Sequence, residues 1–336
     1  MDRERARRLD RVTHGSSSDP SILDVSANIN PVTPDGVEAV YEAALEESRR
    51  YPPEPPLAFM EAAAAHVGCD PAQIIPTAGG MAALRLAIAL YVNQGTQVLL
   101  PAPSFGEYER EVRLHGGTPE WASADTITEM DPSSYGLAIV CQPNNPTGNA
   151  YPRSTLTSFA DRCREADTML LVDEAFIEYT DRETMAAYPG TIVARSLTKI
   201  FGVPGIRMGF AVATGQPRDS LEGARRPWNV SSPALAVGTH CLRDQRFIEH
   251  SREAVARERD RMVTALKDRY GVYPSEAPFL LLECVSESVD EVLVRAQDAR
   301  IALRDARSFG GLDNHIRIAI RRPAENDRVL KVLLNA

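Results

Sequence analysis

Residues 191–207 read TIVARSLTKIFGVPGIR, and this stretch decides the fold prediction. It opens with an apolar run at 191–194, which is typical of a buried strand, and Lys199 follows among hydroxyl side chains. Arg207 comes eight positions later. Hydroxyls and a guanidinium bind phosphate oxygens, and nearby positive charge lowers the pKa of an amine. The stretch therefore predicts a Schiff-base lysine beside a phosphate site, with a solvated turn lysine as the alternative.

Lysine is otherwise almost absent from the chain. Of its 37 basic residues, only three are lysines, at positions Lys199, Lys267 and Lys331, and the rest are arginines. Lys267 falls in a charged amphipathic helix predicted over 246–271, and Lys331 falls in a last helix predicted over 323–334. A solvated amine is the expected role at both positions. Any chemistry that needs an amine therefore points to Lys199. A high-salt cytoplasm and a GC-rich genome explain the scarcity of lysine equally well.

The composition of the 336 residues is that of a globular protein, with 43% apolar and 25% charged side chains. The net charge of −9 argues against nucleic acid or an anionic membrane as the main partner, since both require a basic surface. No apolar run reaches the length needed to cross a bilayer, and the charged N-terminus does not resemble a secretory signal. The five cysteines have neither paired nor metal-site spacing, so we expect reduced thiols, a cytoplasmic protein and no metal.

The middle of the chain alternates helical and strand patterns. A helix is predicted over 81–93, after a Gly-Gly pair. The apolar runs that we interpret as strands cover residues 97–100, 137–141, 169–172, 191–194 and 208–213. Short apolar strands separated by helices or long crossovers indicate an α/β fold with a mainly parallel sheet covered on both faces. Ligands of such sheets bind beyond the carboxyl ends of the strands, so the loops after these runs are the candidate site.

The C-terminal third has a different pattern, in which strands are predicted at 279–285 and 315–320 with a helix at 289–299 between them. Residues 14–36 are rich in Ser, Pro and Asn and show neither helical nor strand periodicity. We therefore divide the chain into an N-terminal arm, a large domain and a smaller α+β domain. Their predicted ranges are 1–36, 37–235 and 236–336.

Four further motifs lie at the start of the predicted helix or after predicted strands: GGMA at 79–82, Phe105, NNPTG at 144–148 and DEAF at 173–176. Each is generic by itself, since tight turns, core aromatics and helix caps account for most such strings. Backbone N–H groups after paired glycines can nevertheless close on a phosphate. A strand-end carboxylate such as Asp173 can hold a pyridine nitrogen protonated, which makes the ring an electron sink.

Together and in this order, the motifs over residues 79–207 resemble the pyridoxal-phosphate enzymes of the aspartate aminotransferase fold, known as fold type I. The resemblance implies a large α/β domain, a smaller α+β domain and pyridoxal 5′-phosphate as the cofactor. It implies Lys199 and Asp173 as catalytic residues, the first as the Schiff-base lysine and the second on the pyridinium nitrogen. It also implies a homodimer with shared active sites. The implied cofactor contacts are Tyr51 across the dimer, the backbone of Gly80, Met81 and Ala82, and Phe105, Asn145, Asp173, Ser196, Thr198, Lys199 and Arg207.

Shorter strings favour one branch of this family. His14-Gly15, SANINP at 26–31 and RIAIR at 317–321 resemble the threonine-phosphate decarboxylases. That branch converts O-phospho-L-threonine to (R)-1-aminopropan-2-yl phosphate and CO2 in cobalamin biosynthesis. Histidinol-phosphate aminotransferases are the related alternative, because they share the Tyr-Pro and Asn-Pro-Thr-Gly strings. Phe176 favours the decarboxylases, since the aminotransferases usually have a tyrosine there.

The resemblance to the decarboxylases also implies a set of substrate contacts. A forked guanidinium matches a carboxylate or a phosphate, and O-phosphothreonine carries both. We assign Arg317 to the carboxylate and Arg304, with His14 and the Gly15 N–H, to the phosphate. The alternatives are a surface helix for Arg304 and a disordered arm for His14. The full implied set is His14, Gly15, Asn28, Asn145, Arg304 and Arg317.

Overall fold

The helices and strands are those of a computed structural model that describes residues 3–334, so the first two residues of the predicted arm and the last two of the predicted small domain lie outside the described residues. The helices are α1 (Arg3–Arg8), α2 (Val37–Glu47), α3 (Leu57–Val67), α4 (Gly80–Tyr91), α5 (Glu107–His115), α6 (Arg153–Glu165), α7 (Leu197–Ile200), α8 (Gly215–Ala224), α9 (Ser232–Arg243), α10 (Gln245–Leu266), α11 (Val289–Asp298) and α12 (Pro323–Leu334). The strands are β1 (Leu23–Asp24), β2 (Ile74–Thr77), β3 (Gln97–Ala102), β4 (Thr118–Ser123), β5 (Leu137–Cys141), β6 (Met169–Asp173), β7 (Thr191–Ser196), β8 (Gly209–Ala213), β9 (Tyr270–Val272), β10 (Phe279–Cys284), β11 (Ile301–Ala302), β12 (Arg304–Asp305) and β13 (His315–Ala319).

The larger sheet has seven strands in the order β2-β8-β7-β6-β5-β3-β4. The pairs from β7 to β4 are parallel, and β8 is antiparallel to both of its neighbours. The prediction of an α/β fold with a mainly parallel sheet is therefore confirmed. The five predicted strands are also confirmed, as β3, β5, β6, β7 and β8.

Alternate residues of the central strands enter two different hydrophobic clusters. Leu170 and Val172 of β6 belong to the cluster that includes Phe159 of α6, whereas Leu171 belongs to the cluster that includes Leu84 of α4. Successive side chains of a strand point to opposite faces, so helices cover this sheet on both sides. That double burial explains why the central strands read as continuous apolar runs.

The sequence did not predict β2 and β4, which are the two edges of the sheet. β2 contains Pro76, and β4 reads TPEWAS with most of its residues exposed. An edge strand tolerates proline and polar side chains, because one side of its backbone has no strand beside it. The continuous apolar run that marks a central strand is therefore shortened by proline in β2 and replaced by mostly exposed residues in β4.

A second, antiparallel sheet has four strands in the order β12-β13-β10-β9. The two strands predicted in the C-terminal third are confirmed as β10 and β13, and the helices that follow each of them are α11 and α12. The helix predicted over 246–271 is wrong at its end, because α10 ends at Leu266 and residues 270–272 form β9. Tyr270 is buried and pairs with Cys284, so the last residues of the amphipathic pattern form a strand instead of continuing the helix.

The arm is tied to the C-terminal part of the chain by a separate two-stranded sheet. β1 pairs in parallel with β11, with Leu23 opposite Ile301, so the prediction that residues 14–36 contain no strand is wrong there. The carboxylate of Asp24 accepts the backbone N–H of Ser26 at 2.8 Å and turns the chain after the strand. This attachment brings the arm to the carboxyl edge of the larger sheet. The limits of the arm and of the two domains stay predictions.

Candidate active site

A cavity of about 630 Å³ lies at the carboxyl ends of β5, β6 and β7, and the arm, α4, α5 and the β12–β13 pair contribute to its wall. Residues from both ends of the chain meet there. The predicted site residues that border the cavity are His14, Gly15, Asn28, Gly80, Met81, Phe105, Asn145, Asp173, Ser196, Thr198, Lys199, Arg207, Arg304 and Arg317. The structure thus brings together all of the predicted site residues except Tyr51 and Ala82.

Lys199 lies on the single turn α7, directly after β7. Its backbone carbonyl accepts the N–H of Asn30 at 3.0 Å and the Tyr179 hydroxyl at 3.1 Å, and both bonds hold this turn in place. Burial, followed by the positive charges of Arg317 and Arg207, lowers the pKa of the Lys199 amine to about 8. The neutral, nucleophilic amine is therefore accessible close to neutral pH.

Asp173 is the last residue of β6, and its carboxylate is buried. One oxygen accepts the Tyr108 hydroxyl at 2.6 Å, and the other accepts the Ala175 N–H at 3.0 Å. Burial raises the pKa of Asp173, because these neutral donors do not replace the hydration of the charged form. A cationic nitrogen of a ligand in the cavity would be the positively charged partner that this carboxylate does not have among its hydrogen-bond donors.

Tyr108 is a site residue that the sequence interpretation missed. It lies three positions after Phe105 at the start of α5, and the two rings meet edge to face with centroids 5.5 Å apart. Burial and the carboxylate of Asp173 raise the pKa of Tyr108, so its hydroxyl stays protonated and donates. The string PSFGEY at 103–108 places this tyrosine close to Phe105, but nothing in it predicts the hydrogen bond to Asp173, 65 positions further along the chain.

The start of α4 forms a cradle with Ser196 and Arg207. Gly79 has a φ of 90°, and a Cβ there would lie 2.8 Å from a nitrogen of the Arg207 guanidinium. A Cβ on Gly80 would lie 2.9 Å from the Cβ of Ser196. The hydroxyls of Ser196 and Thr198 are 2.8 Å apart. A helix N-terminus, a guanidinium and two hydroxyls in this arrangement can hold a phosphate.

Ala82 and Tyr51 do not border the cavity. The N–H of Ala82 donates to the carbonyl of Gly79 at 3.0 Å, so the cradle is left with the N–H groups of the two preceding residues. Tyr51 is 79% exposed and packs on Trp228 with ring centroids 4.6 Å apart. Its contact across a dimer stays a prediction.

Two buried arginines, Arg304 and Arg317, lie opposite each other on the β12–β13 pair. The Arg317 guanidinium donates to the side-chain oxygen of Asn145 and to the carbonyl of Ser26, and it lies 5.2 Å from the centroid of the Phe279 ring. Burial, followed by the charge of Arg304, lowers the pKa of Arg317 to about 9. Within residues 3–334, no carboxylate forms a salt bridge with either arginine. An anionic ligand would compensate both charges.

The surface-helix alternative for Arg304 is wrong, because the residue lies on β12 and is buried. Its guanidinium donates to the Thr13 carbonyl and to the Ser308 hydroxyl, each at 2.6 Å. It also lies 5.1 Å from the centroid of the Phe309 ring. These partners hold the guanidinium in place without neutralising it.

The arm closes the cavity on the side of α5. The side-chain oxygen of Asn28 is buried and has no hydrogen-bond partner among the described residues. Gly15 packs so closely that a Cβ would lie 2.4 Å from the carbonyl oxygen of Ser26. Nε2 of His14 lies 2.8 Å from the Glu107 carboxylate. The arm therefore presents an unpaired amide oxygen and an imidazole to the cavity.

Metal sites and membrane-spanning helices are not found in the described part of the chain. Among residues 3–334, no group of three or more His, Cys, Asp or Glu side chains is placed to hold a metal ion. No helix in that range is long and apolar enough to cross a membrane. The five cysteines are free thiols, and four of them are buried.

The family model for aminotransferases of class I and II matches residues 20–333. The chain belongs to this family. Its members are enzymes that depend on pyridoxal 5′-phosphate, and the cavity fits that cofactor. The cradle at Gly80 suits its phosphate, the buried carboxylate of Asp173 suits its pyridine nitrogen, and the amine of Lys199 suits its aldehyde.

Two relatives within the family have different activities. The threonine-phosphate decarboxylase of Salmonella typhimurium is 31% identical over 337 residues, which cover 95% of this chain and 92% of the relative. Histidinol-phosphate aminotransferase 2 of Archaeoglobus fulgidus is 29% identical over 328 residues, which cover 94% of this chain and 93% of the relative. Such similar identities leave both decarboxylation and transamination open.

Solved structures of several enzymes share the fold of this chain. The L-threonine-O-3-phosphate decarboxylase of Porphyromonas gingivalis has a TM-score of 0.85 at 25% identity and covers 93% of this chain and 98% of its own. The histidinol-phosphate aminotransferase of Sinorhizobium meliloti, solved with pyridoxal 5′-phosphate, has a TM-score of 0.83 at 22% identity and covers 91% of this chain and 88% of its own. An aspartate aminotransferase mutant from Thermus thermophilus has a TM-score of 0.79 at 22% identity and covers 99% of both chains. The predicted aspartate-aminotransferase-like fold is confirmed.

Proposed function

We propose that this protein is a threonine-phosphate decarboxylase that uses pyridoxal 5′-phosphate. It converts O-phospho-L-threonine to (R)-1-aminopropan-2-yl phosphate and CO2 for cobalamin biosynthesis in the cytoplasm. The observation that carries the proposal is the pair Arg304 and Arg317, two buried guanidiniums without a carboxylate partner on one wall of the cavity. A single substrate with a carboxylate and a phosphate compensates both charges. The similarity to the Salmonella typhimurium enzyme supports the same reaction.

The cofactor would lie against the carboxyl ends of the central strands. When bound, it supplies an electron sink for the electron pair that a bond at the substrate α-carbon releases. The residues that would hold it are Gly80, Met81, Ser196, Thr198 and Arg207 at its phosphate, Phe105 against its ring, Asn145 at its phenolic oxygen, Asp173 at its nitrogen, and Lys199 as the amine that carries it.

The substrate is held at both ends. Arg317 binds the carboxylate, whereas Arg304, His14 and the Gly15 N–H bind the phosphate. Two fixed ends restrict rotation at the α-carbon, so that the bond to the carboxylate rather than the C–H bond is presented for cleavage. Binding energy at the remote phosphate maintains that orientation. The Lys199 amine carries the proton that replaces the carboxylate at the α-carbon.

The remaining predicted contacts belong to the same proposal. Asn28, whose side-chain oxygen is unpaired, joins Asn145 as a substrate contact. Tyr51 reaches the cofactor phosphate of a second copy in a homodimer with shared active sites. The exposure of Tyr51 and of Trp228, on which it packs, supports a covering partner at this place.

Histidinol-phosphate aminotransferase is the second candidate, which the Archaeoglobus fulgidus relative supports. Phe176 argues against it. Its ring is buried at the cavity and meets the Phe279 ring edge to face with centroids 5.3 Å apart. It offers no hydroxyl to an oxygen of the cofactor. The two reactions also differ in their requirements, since an aminotransferase needs a 2-oxo acid acceptor and a decarboxylase does not.

The test follows CO2 release and cofactor absorbance together, with O-phospho-L-threonine as the substrate and no 2-oxo acid present. We expect sustained CO2 release and an aminopropanol phosphate product. L-Threonine is the matched control for the phosphate, and O-phospho-L-serine is the control for the methyl group. A reaction that requires 2-oxoglutarate, or interconversion of the cofactor forms by histidinol phosphate and 2-oxoglutarate, would contradict the proposal.

A further inference from the structure

Glu107 is a carboxylate at the mouth of the cavity that the proposed function does not use. It is the first residue of α5, and Gly106 before it provides no side-chain cap. An acidic side chain at this end of a helix is stabilised by the helix dipole. The side chain is mostly buried, and its Oε1 lies 2.8 Å from Nε2 of His14. Arg110 lies 3.9 Å from its other oxygen.

The contact between His14 and Glu107 completes a bridge across the mouth of the cavity. On one side, the carbonyl of Thr13 accepts the Arg304 guanidinium of the second sheet at 2.6 Å. On the other side, a Cβ on Gly106 would lie 3.1 Å from the side chain of Val12, so the arm rests directly on the start of α5. The arm peptide is therefore fixed between the second sheet and the start of α5, beside Arg304.

The imidazole of His14 has two nitrogens, and the partner of one decides what the other can do. With Nε2–H donated to the Glu107 carboxylate, the ring cannot rotate freely, and the imidazolium form, in which both nitrogens are donors, offers Nδ1–H to a phosphate oxygen. If His14 did not cover it, the Glu107 carboxylate would face an incoming phosphate as a like charge. The contact thus orients the imidazole and shields the carboxylate at the same time.

We propose that Glu107 is the positioning residue of the phosphate subsite, where it holds His14 beside Arg304 and so selects phosphorylated amino acids. This inference rests on the proposed function, in which His14 and Arg304 bind the substrate phosphate. Glu107 itself does not touch the reacting atoms. Its removal therefore weakens recognition of the phosphate and leaves the chemistry at Lys199 intact.

The experiment compares Glu107→Gln, His14→Ala and the double variant as holoenzymes. Titration of the cofactor absorbance gives dissociation constants for O-phospho-L-threonine and for L-threonine, and turnover gives KM and kcat. We expect Glu107→Gln to weaken binding of O-phospho-L-threonine relative to L-threonine by about tenfold, the effect of one lost charge-assisted hydrogen bond. KM rises accordingly, and kcat falls by less than KM rises, because Arg304 and the Gly15 N–H still hold the phosphate. In the His14→Ala background, Glu107→Gln costs nothing further, since it acts through His14.

Glu109→Gln is the matched control. Glu109 lies on the same helix, is half-exposed and pairs with Arg113 at 2.7 Å, so we expect wild-type constants. A Glu107→Gln variant that weakens both ligands equally, leaves the ratio unchanged or adds its full effect to that of His14→Ala would overturn the inference. Histidinol phosphate and histidinol replace the threonine pair if O-phospho-L-threonine releases no CO2. The absence of CO2 release would thus contradict the proposed function, whereas an unchanged ratio of the two dissociation constants would contradict the role of Glu107.

Discussion

The protein buries arginine in two regions with opposite electrostatics. Arg195 is 4% exposed and forms salt bridges with Glu174 at 3.0 Å and Glu178 at 2.6 Å. Arg317 is 5% exposed and has neutral oxygens and aromatic rings as partners. Burial disfavours the charge of Arg195, but Glu178 and Glu174 outweigh it and raise its pKa. Burial, followed by the charge of Arg304, lowers the pKa of Arg317 to about 9, and the weaker opposing effect of Asp24 does not restore it.

The difference separates an arginine of the fold from an arginine of the site. A buried charge that is compensated inside the protein needs no ligand, whereas an uncompensated one costs stability until a ligand arrives. Arginines of both kinds lie close to the cavity. Arg195 precedes Ser196 on β7, and the two side chains point to opposite faces, one to the carboxylates and one to the cavity.

The largest expected effect breaks the compensated region. Arg195→Met leaves Glu174 and Glu178 buried without their cation, so we expect a loss of about 3–5 kcal/mol in the free energy of unfolding. Urea unfolding of the cofactor-free protein measures it. Arg257→Met, which removes an exposed pair with Glu253, is the control, and we expect a change within about 0.5 kcal/mol. Equal stability of the two variants would remove the distinction between the regions.

The next effect concerns the uncompensated region. Arg317→Gln removes the proposed partner of the substrate carboxylate, and we expect kcat/KM for O-phospho-L-threonine to fall about 100-fold, which corresponds to about 2.7 kcal/mol. The free energy of unfolding of the cofactor-free protein stays the same or rises, because an unpaired buried charge is gone. Steady-state kinetics and urea unfolding check the two halves. A destabilised Arg317→Gln protein would show that this arginine serves the fold.

A smaller effect is expected at the buried carboxylate of the site. Tyr108→Phe removes the hydroxyl that donates to Asp173 at 2.6 Å, a hydrogen bond to an ionisable group worth about 1.5–3 kcal/mol. The charged form of Asp173 loses this donor, so we expect weaker retention of pyridoxal 5′-phosphate during dialysis. Equilibrium binding of the cofactor to the apoprotein measures the change. Wild-type affinity would mean that the Tyr108 hydroxyl does not support the carboxylate.

The smallest effect links the uncompensated arginine to the lysine. The pKa of Lys199 is lowered to about 8, so the neutral amine is scarce below that pH and dominant above it. The rate at which apoprotein combines with pyridoxal 5′-phosphate should therefore rise with pH through about 8. In Arg317→Gln the midpoint moves upward by up to about one pH unit, or about 1.4 kcal/mol, because a cation that disfavours the charged amine is lost. Stopped-flow absorbance between pH 6 and 10 checks it, and an unmoved midpoint would contradict the link.

The sequence predicted the centre of the fold better than its edges. Strands buried on both faces are continuous apolar runs, which is why β5, β7 and β8 could be read directly. The edge strands β2 and β4 carry proline or exposed polar residues, and β9 continues the pattern of the helix before it. These three segments form strands because they pair with a neighbouring strand. A local sequence pattern carries no information about that pairing.

The sequence pointed to site residues where they lie at the end of a central strand, as Asp173 does, or on the turn that follows one, as Lys199 does. Pairings over long separations did not follow. Tyr108 and Asp173 are 65 positions apart, and His14 and Glu107 are 93 positions apart. The cluster of Arg195 with Glu174 and Glu178 was not predicted either, because the sequence does not distinguish a buried, paired arginine from a solvated one.

We propose that the uncompensated arginines Arg304 and Arg317 hold the two anionic ends of one substrate and thereby direct loss of its carboxylate. The most direct measurement counts labelled CO2 released from carboxyl-labelled O-phospho-L-threonine by the holoenzyme, per active site and without any 2-oxo acid. We expect many labelled CO2 molecules per site, and far fewer from labelled L-threonine. No labelled CO2, or turnover that starts only when a 2-oxo acid is added, would contradict the claim.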